Sequence, residues 1–247
     1  MDKMFTTPIA MLHHVSNRSD WEDLRPFVIQ EATFMRFLDN IENTGRKTQT
    51  FNQTVSDSTS DKSMIITFDD CGKHLLDFAV PELIRRRMKA VFFMPTAHLG
   101  ETNSWDVAEG RSAVDLMDAS DLKELQRLGM EIGGHSHHHV HLGRLSPEAL
   151  RVELARCQST LTEILGESAK SFAYPFGSIP TDATSAFSEH GFEFACAIFS
   201  PVQAAHQLRR FIIHDGDSAL AMRLKMTNVY AWYRALTDHR KPAAAWT

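Results

Sequence analysis

Short apolar runs that stop at a polar residue recur along the chain, and longer segments with apolar positions three and four apart lie between them. Ile9 to Leu12, Met64 to Phe68, Ala90 to Met94, Met130 to Gly134, Ser171 to Phe176, Phe194 to Phe199 and Arg209 to Ile213 have the length of buried strands. Between them, helices are predicted within 20–46, where Phe34, Phe37, Leu38 and Ile41 share a face, and over 80–89, 121–128, 147–165, 180–190 and 218–236. Ser146-Pro147-Glu148 gives the 147–165 helix an N-cap, a first-turn proline and an early acid, and Gly166 closes it. Residues 47–62 are polar and predict a loop with at most a short strand, and 241–247 read as a frayed end. Strand and helix alternate with short connections, which argues for a parallel sheet with helices outside it. Seven strand candidates in 247 residues without an internal linker favour one domain over residues 1–247, a (β/α) barrel rather than two units.

Composition narrows the class. The formal charge is −5 and no basic stripe stands out, so a nucleic acid backbone is not an expected partner. Cys71, Cys157 and Cys196 are odd in number and follow no framework spacing, which predicts free thiols in a reducing compartment. Residues 1–8 lack the charged-then-apolar layout of a secretory signal, and no apolar run reaches membrane-spanning length. The expectation is a cytoplasmic protein with no membrane span.

The candidate chemistry lies at strand ends. His13-His14, Asp69-Asp70, His135 and Tyr174-Pro175-Phe176 each follow directly on an apolar strand. Parallel strands put their C-terminal ends on one face, so these clusters converge. Two adjacent aspartates can serve one site only where the strand ends and the backbone turns, and Gly72 suits a sharp turn there. From His135 the chain carries five histidines in seven residues. His135 with His139, and His137 with His141, have the spacing that lets two imidazoles on one helical turn reach a common metal, and spacing alone does not choose between the pairs. Arg85-Arg86-Arg87 ends a predicted helix and reads as solvated charge complementing the helix dipole.

These residues carry a family resemblance. Thr67-Phe68-Asp69-Asp70 resembles the T-F-D-D motif of polysaccharide deacetylases, the NodB-homology group of carbohydrate esterase family four. His135-Ser136-x-x-His139 is similar to that family's H-[ST]-x-x-H motif, and Phe172-Ala173-Tyr174-Pro175-Phe176-Gly177 to its third motif. The resemblance runs from about Ile9 to Asp217. It implies a deformed (β/α) barrel of about seven parallel strands and metal-dependent removal of N-acetyl groups from amino sugars. Asp70, His135 and His139 are then the metal ligands, and Asp69 is the general base. Leu12-His13-His14-Val15 resembles the Y-H-x-V context of the subgroup acting on poly-N-acetylglucosamine, which makes His13 the general acid. Phe176 would offer its backbone N–H to the oxyanion, with Tyr174 and Pro175 shaping the substrate site.

Several positions depart from the family pattern. Cys71 stands where glycine is usual, the motif-three arginine falls at Ala173, and the D-x-x-D-W motif has no counterpart. Arg209 or Arg210 is left to orient the base, and His214 is the rival general acid. A His/His/Asp set accepts zinc first, with cobalt, nickel or iron possible, and leaves positions for a water of lowered pKa. The expected partner is an N-acetylated sugar or glycan, or a lipid-linked or nucleotide-linked precursor. The alternatives are a metal-independent cyclic-amide hydrolase and a non-catalytic carbohydrate-binding barrel, whose structural metal would want a fourth ligand from His137, His138 or Cys71.

Overall fold

The computed structural model describes residues 7–56, 62–200 and 202–238, so the segment 241–247 and all but the last two residues of 1–8 lie outside the described residues. The chain begins with β1 (Ile9–Leu12) and β2 (His14–Val15), the latter paired with β3 (Val28–Ile29), and continues through α1 (Glu31–Asn43), β4 (Lys47–Thr48) and α2 (Phe51–Ser56). The long strand β5 (Ser63–Asp69) follows, then α3 (Ala79–Arg85), β6 (Val91–Met94), α4 (Ser104–Ala108), α5 (Ala119–Arg127) and β7 (Glu131–Gly134). Next come α6 (Pro147–Leu165), β8 (Ser171–Ala173), α7 (Ala183–Glu189), β9 (Phe194–Ala197), β10 (Leu208–Arg209), β11 (Phe211–Ile212), α8 (Ala219–Lys225) and α9 (Asn228–Thr237).

Eight strands pair in parallel in the order β10, β9, β8, β7, β6, β5, β1, β11, with β4 beside the start of β5. β10 and β11 stand on opposite edges of this sheet, yet only Arg210 separates them in sequence. One segment therefore nearly closes the sheet into a barrel. The seven predicted strands become eight because the run 209–213 divides at Arg210, Leu208 pairing with Cys196 and Phe211 with Ala10.

Strand alternation sorts the core. Met64, Ile66 and Phe68 of β5 belong to the larger cluster, which includes Phe34, Phe37, Leu38 and Ile41 of α1. Ile65 belongs to a second cluster with Val91, Phe93, Ala173, Cys196, Leu208 and Phe51, which fills the barrel. Full burial of each such aromatic or branched side chain contributes about 1.5–3 kcal/mol.

Three predicted elements differ. The predicted loop at 47–62 contains β4 and α2, because Phe51 is drawn into the barrel interior and is fully buried. The helix within 20–46 begins only at Glu31, since Pro26 confines the preceding residues to a 3-10 turn. The final helix divides before Thr227, whose hydroxyl accepts from the Tyr230 N–H and caps α9. Of the three consecutive arginines, Arg86 is not solvated: its side chain is 5% exposed and pairs with Asp39 (2.7 Å) and Glu42 (2.6 Å), tying α3 to α1. No helix among the described residues is long and apolar enough to cross a membrane.

Candidate active site

β5 presents Asp69 at its end, buried, and the chain then takes two left-handed steps at Asp70 (φ 69°) and Cys71 (φ 56°). Continued alternation would send the second carboxylate to the helix layer, and the positive φ returns it to the mouth. A non-glycine residue held there costs about 1–3 kcal/mol, so the turn needs external support. The Met117 N–H donates to the Cys71 carbonyl at 2.9 Å, and the Lys73 N–H to the Asp115 carbonyl at 2.8 Å. Gly72 does not make the turn, contrary to the sequence expectation, since its φ is −57°. Its hydrogen is required for space, because a Cβ would lie 2.5 Å from His74 Cε1. Burial, reinforced by the charges of Asp70 and Asp69, pushes the Cys71 thiol well up, which disarms it as a nucleophile.

The histidine segment leaves β7 as irregular backbone, not as the helical turn assumed from the spacing. Ser136 (φ 61°) and His139 (φ 53°) curl it so that His139 comes back beside His135. His135 Nδ1 meets the Ala173 carbonyl at 2.7 Å, which leaves its Nε2 aimed at Asp70. The Nε2 atoms of His135 and His139 lie 3.4 and 3.3 Å from Asp70 Oδ1. Burial pushes the Asp70 carboxyl up, but the two imidazoles outweigh it and hold it well below the usual carboxylate range. Its buried Oδ1 nevertheless makes no well-directed hydrogen bond among the described residues. One ligand atom from each of Asp70, His135 and His139 lies within 4.8 Å of the others, an arrangement that fits a divalent cation. The remaining histidines disperse: His137 Nδ1 sits 2.9 Å from Thr96 Oγ1, His138 pairs with Glu153 at 2.5 Å, and His141 stacks on Phe176 with ring centroids 4.1 Å apart.

Asp69 is gripped from across the barrel. Arg210 donates through Nη1 to Oδ1 at 2.5 Å and through Nη2 to Oδ2 at 2.7 Å, and Nη1 also reaches Thr67 Oγ1 at 3.1 Å. Burial opposes ionisation of Asp69, but the guanidinium prevails and keeps its pKa below the ordinary value. Of the two arginines offered by the sequence, Arg210 supplies the charge that Ala173 lacks, whereas Arg209 donates to the Ser200 carbonyl. His13 Nε2 stands 4.0 Å from Asp69 Oδ2. His214 is exposed on the rim, where its backbone N–H donates to the Asp217 carboxylate at 2.9 Å.

His13, Asp69, Asp70, His135, His139, Arg210 and His214 open on one cavity of about 590 Å³, within the size range of small-ligand sites. Tyr174 is almost wholly buried and donates its hydroxyl to the His206 carbonyl, so it builds the wall more than it offers a polar group. Pro175 is buried and starts the short turn, in which Phe176 adopts φ 57° beside the histidines. Trp105, in a stretch where the sequence pattern predicts no strand or helix, lines the cavity and stacks on His139 with centroids 3.9 Å apart. A lone tryptophan among small polar residues was the signal available for it.

Behind His13, the rings of His14, Trp21 and His74 form an aromatic cluster in which His14 and Trp21 are buried and His74 is partly buried, the His14 and His74 ring centroids lying 5.1 Å apart. Burial, together with the neighbouring His74 and His13, holds His14 well below the usual histidine value, and burial with the Arg18 charge pushes His74 down to about 4. The unfolded chain takes up these protons near 6.5 and the folded chain only lower, so stability is full above 6.5 and falls as the pH drops towards 4. His74 alone should cost about 2 kcal/mol between pH 7 and 5. Urea unfolding of wild type and His74→Leu at the two pH values tests this: the variant should show the smaller pH dependence, and equal slopes would refute it.

Comparison with known proteins adds to this geometry. Residues 56–195, more than half of the chain, match the family described as polysaccharide deacetylase. The poly-beta-1,6-N-acetyl-D-glucosamine N-deacetylase of Staphylococcus aureus is 25% identical over 167 residues, which cover 62% of this chain and 55% of that protein. The chain thus spans about half the length of this curated relative. Among solved structures, the Streptococcus pyogenes deacetylase PplD superposes with a TM-score of 0.76 at 20% identity, covering 90% of this chain and 98% of that one. IcaB from Ammonifex degensii does so with a TM-score of 0.72 at 19% identity, covering 90% and 97%. At these identities the two structures speak to the fold alone.

Proposed function

The chain belongs to the polysaccharide deacetylase family, and from that premise we propose that it is a hydrolase removing N-acetyl groups from an amino sugar or glycan with the help of a divalent cation, zinc first. The observation carrying this reading is the three-ligand set of Asp70, His135 and His139 beside an ionised Asp69 that faces His13. A cation bound by these residues would polarise the amide carbonyl and lower the pKa of a water. Asp69, held ionised by Arg210, takes the proton of the attacking water, and His13 gives one to the departing amine. The backbone N–H of Phe176 is the proposed donor to the developing oxyanion, a role worth about 3–4 kcal/mol where it has been measured. Arg210 acts as the orienting partner of the base.

Two observations bear on the alternatives. The extra ligands that a closed structural metal would want are engaged elsewhere, His137 with Thr96, His138 with Glu153 and Cys71 in the core. The intact ligand set speaks against a metal-independent amide hydrolase. As to substrate, every arginine lining the cavity is already paired: Arg18 with Asp20, Arg25 with Glu22, Arg111 with Asp106 and Glu109, and Arg210 with Asp69. A neutral N-acetylated sugar suits this lining better than a phosphate-bearing precursor, and the relative's name makes β-1,6-linked N-acetylglucosamine the first substrate to test.

The test is acetate release from N-acetylglucosamine oligomers, alongside metal analysis. Asp69→Asn should keep its metal and lose about 10²–10⁴-fold in kcat, the usual span of an acid–base group. His13→Ala should likewise keep metal and fold and lose kcat within the same range, with His214→Ala milder. Metal lost from Asp69→Asn as fully as from Asp70→Asn, or a larger kcat loss in His214→Ala than in His13→Ala, contradicts these roles.

A further inference from the structure

His135 and His139 carry the same proposed duty, but they are held by different means. The ring of His135 is locked by its Nδ1 against the Ala173 carbonyl at 2.7 Å, the usual way in which a ligating imidazole is oriented. His139 has no such bond: its Nδ1 is buried and finds no hydrogen-bonding partner among the described residues. Its ring is held by other rings instead. The indole of Trp105 lies nearly parallel to it, at 3.9 Å and 23°, while Phe176 meets it edge-on at 4.7 Å and 67°. The His98 ring stands edge-on to the indole at 5.1 Å.

The indole is itself fixed. α4 begins after Asn103, whose side chain accepts from the Val114 N–H and donates to the Ser112 carbonyl at 3.2 Å and to Asp106 at 3.1 Å. Asp106 in turn pairs with Arg111 at 2.7 Å. This network closes the loop behind Trp105 and presses it towards the histidine segment.

Resting on the metal assignment above, we propose that Trp105 is a positioning residue that holds the His139 imidazole in its ligating orientation by stacking, in place of the missing hydrogen bond. An imidazole that gives its electron pair to a cation becomes electron-poor, and the face of an indole attracts such a ring. The contact therefore tightens on loading and adds to metal affinity, not only to fold.

The experiment titrates the purified protein, stripped by chelation, with Co²⁺, followed by calorimetry and by indole fluorescence. Trp105→Leu should bind Co²⁺ about two- to tenfold more weakly, the range expected for one aromatic pair. Trp105→Phe, which keeps a stacking ring, should recover most of that affinity. Quenching of indole emission by Co²⁺, strong in wild type, should largely vanish in Trp105→Phe although the metal still binds. Unchanged affinity in Trp105→Leu, or quenching that persists in Trp105→Phe, overturns the inference. If the leucine variant does not fold, the quenching comparison decides alone. His139→Ala separates the two levels. Binding lost there while Trp105→Leu binds normally refutes only the stacking role, whereas binding retained in His139→Ala refutes the ligand assignment as well.

Discussion

Replacing His135 or His139 with alanine, or Asp70 with asparagine, is expected to remove the bound cation and the turnover together. Each variant takes away one of three candidate ligand atoms that lie within 4.8 Å of one another, and the buried Asp70 Oδ1 has no hydrogen bond among the described residues to fall back on. Losing a direct ligand should exceed the roughly 10–100-fold cost of losing an outer partner, so metal content should drop to background at micromolar metal. His137→Ala and His141→Ala serve as the contrast. Their rings rest on Thr96 and Phe176, and both variants should keep the ion. Metal analysis of the five proteins decides, and an empty His137 or His141 variant would shift the assignment to that pair.

The second large effect belongs to Arg210. Arg210→Met should destabilise the protein by about 3–5 kcal/mol, because it leaves the buried Asp69 carboxylate without its two-armed partner. Since the guanidinium keeps the pKa of Asp69 down, its loss raises that pKa, and the acid side of the rate profile should move to higher pH. The double variant Asp69→Asn/Arg210→Met removes both charges and should regain part of the stability lost in Arg210→Met. Chemical unfolding of wild type, the single variant and the double variant checks this, and a double variant no more stable than Arg210→Met would argue that the arginine acts through packing alone.

The parts of the site that the sequence discloses are those encoded locally. A strand's apolar run and the polar residue that ends it are neighbours in the chain, so Asp69, His13 and His135 could be placed at the mouth from the parallel pattern alone. The spacing of His135 and His139 pointed to a shared ligand site for an incomplete reason, since the pair meets through two left-handed residues and not along a helix. Arg210 was one of two options because its position depends on where a five-residue segment changes partners, which no periodicity records. Trp105 was missed because stacking across the mouth joins β7's loop to α4, and neither segment's pattern refers to the other. The length of the last strand was misjudged for the reason that hid Arg210, as both halves are apolar and only their partners differ.

That change of partners sets an order on assembly. Ala10 pairs with Phe211, so the first strand waits for nearly the whole chain before its second edge is covered. Contacts this distant in sequence form late, since the intervening chain must be ordered first. A chain still being synthesised possesses His13, Asp69, Asp70, His135 and His139 well before it possesses Arg210. The proposed cation ligands can therefore gather on an incomplete protein, but the carboxylate beside them lacks its guanidinium partner until the seam is sewn. The pairing of the proposed base is in this sense a certificate of completion: the arginine that grips Asp69 is flanked by the two short strands that shut the barrel.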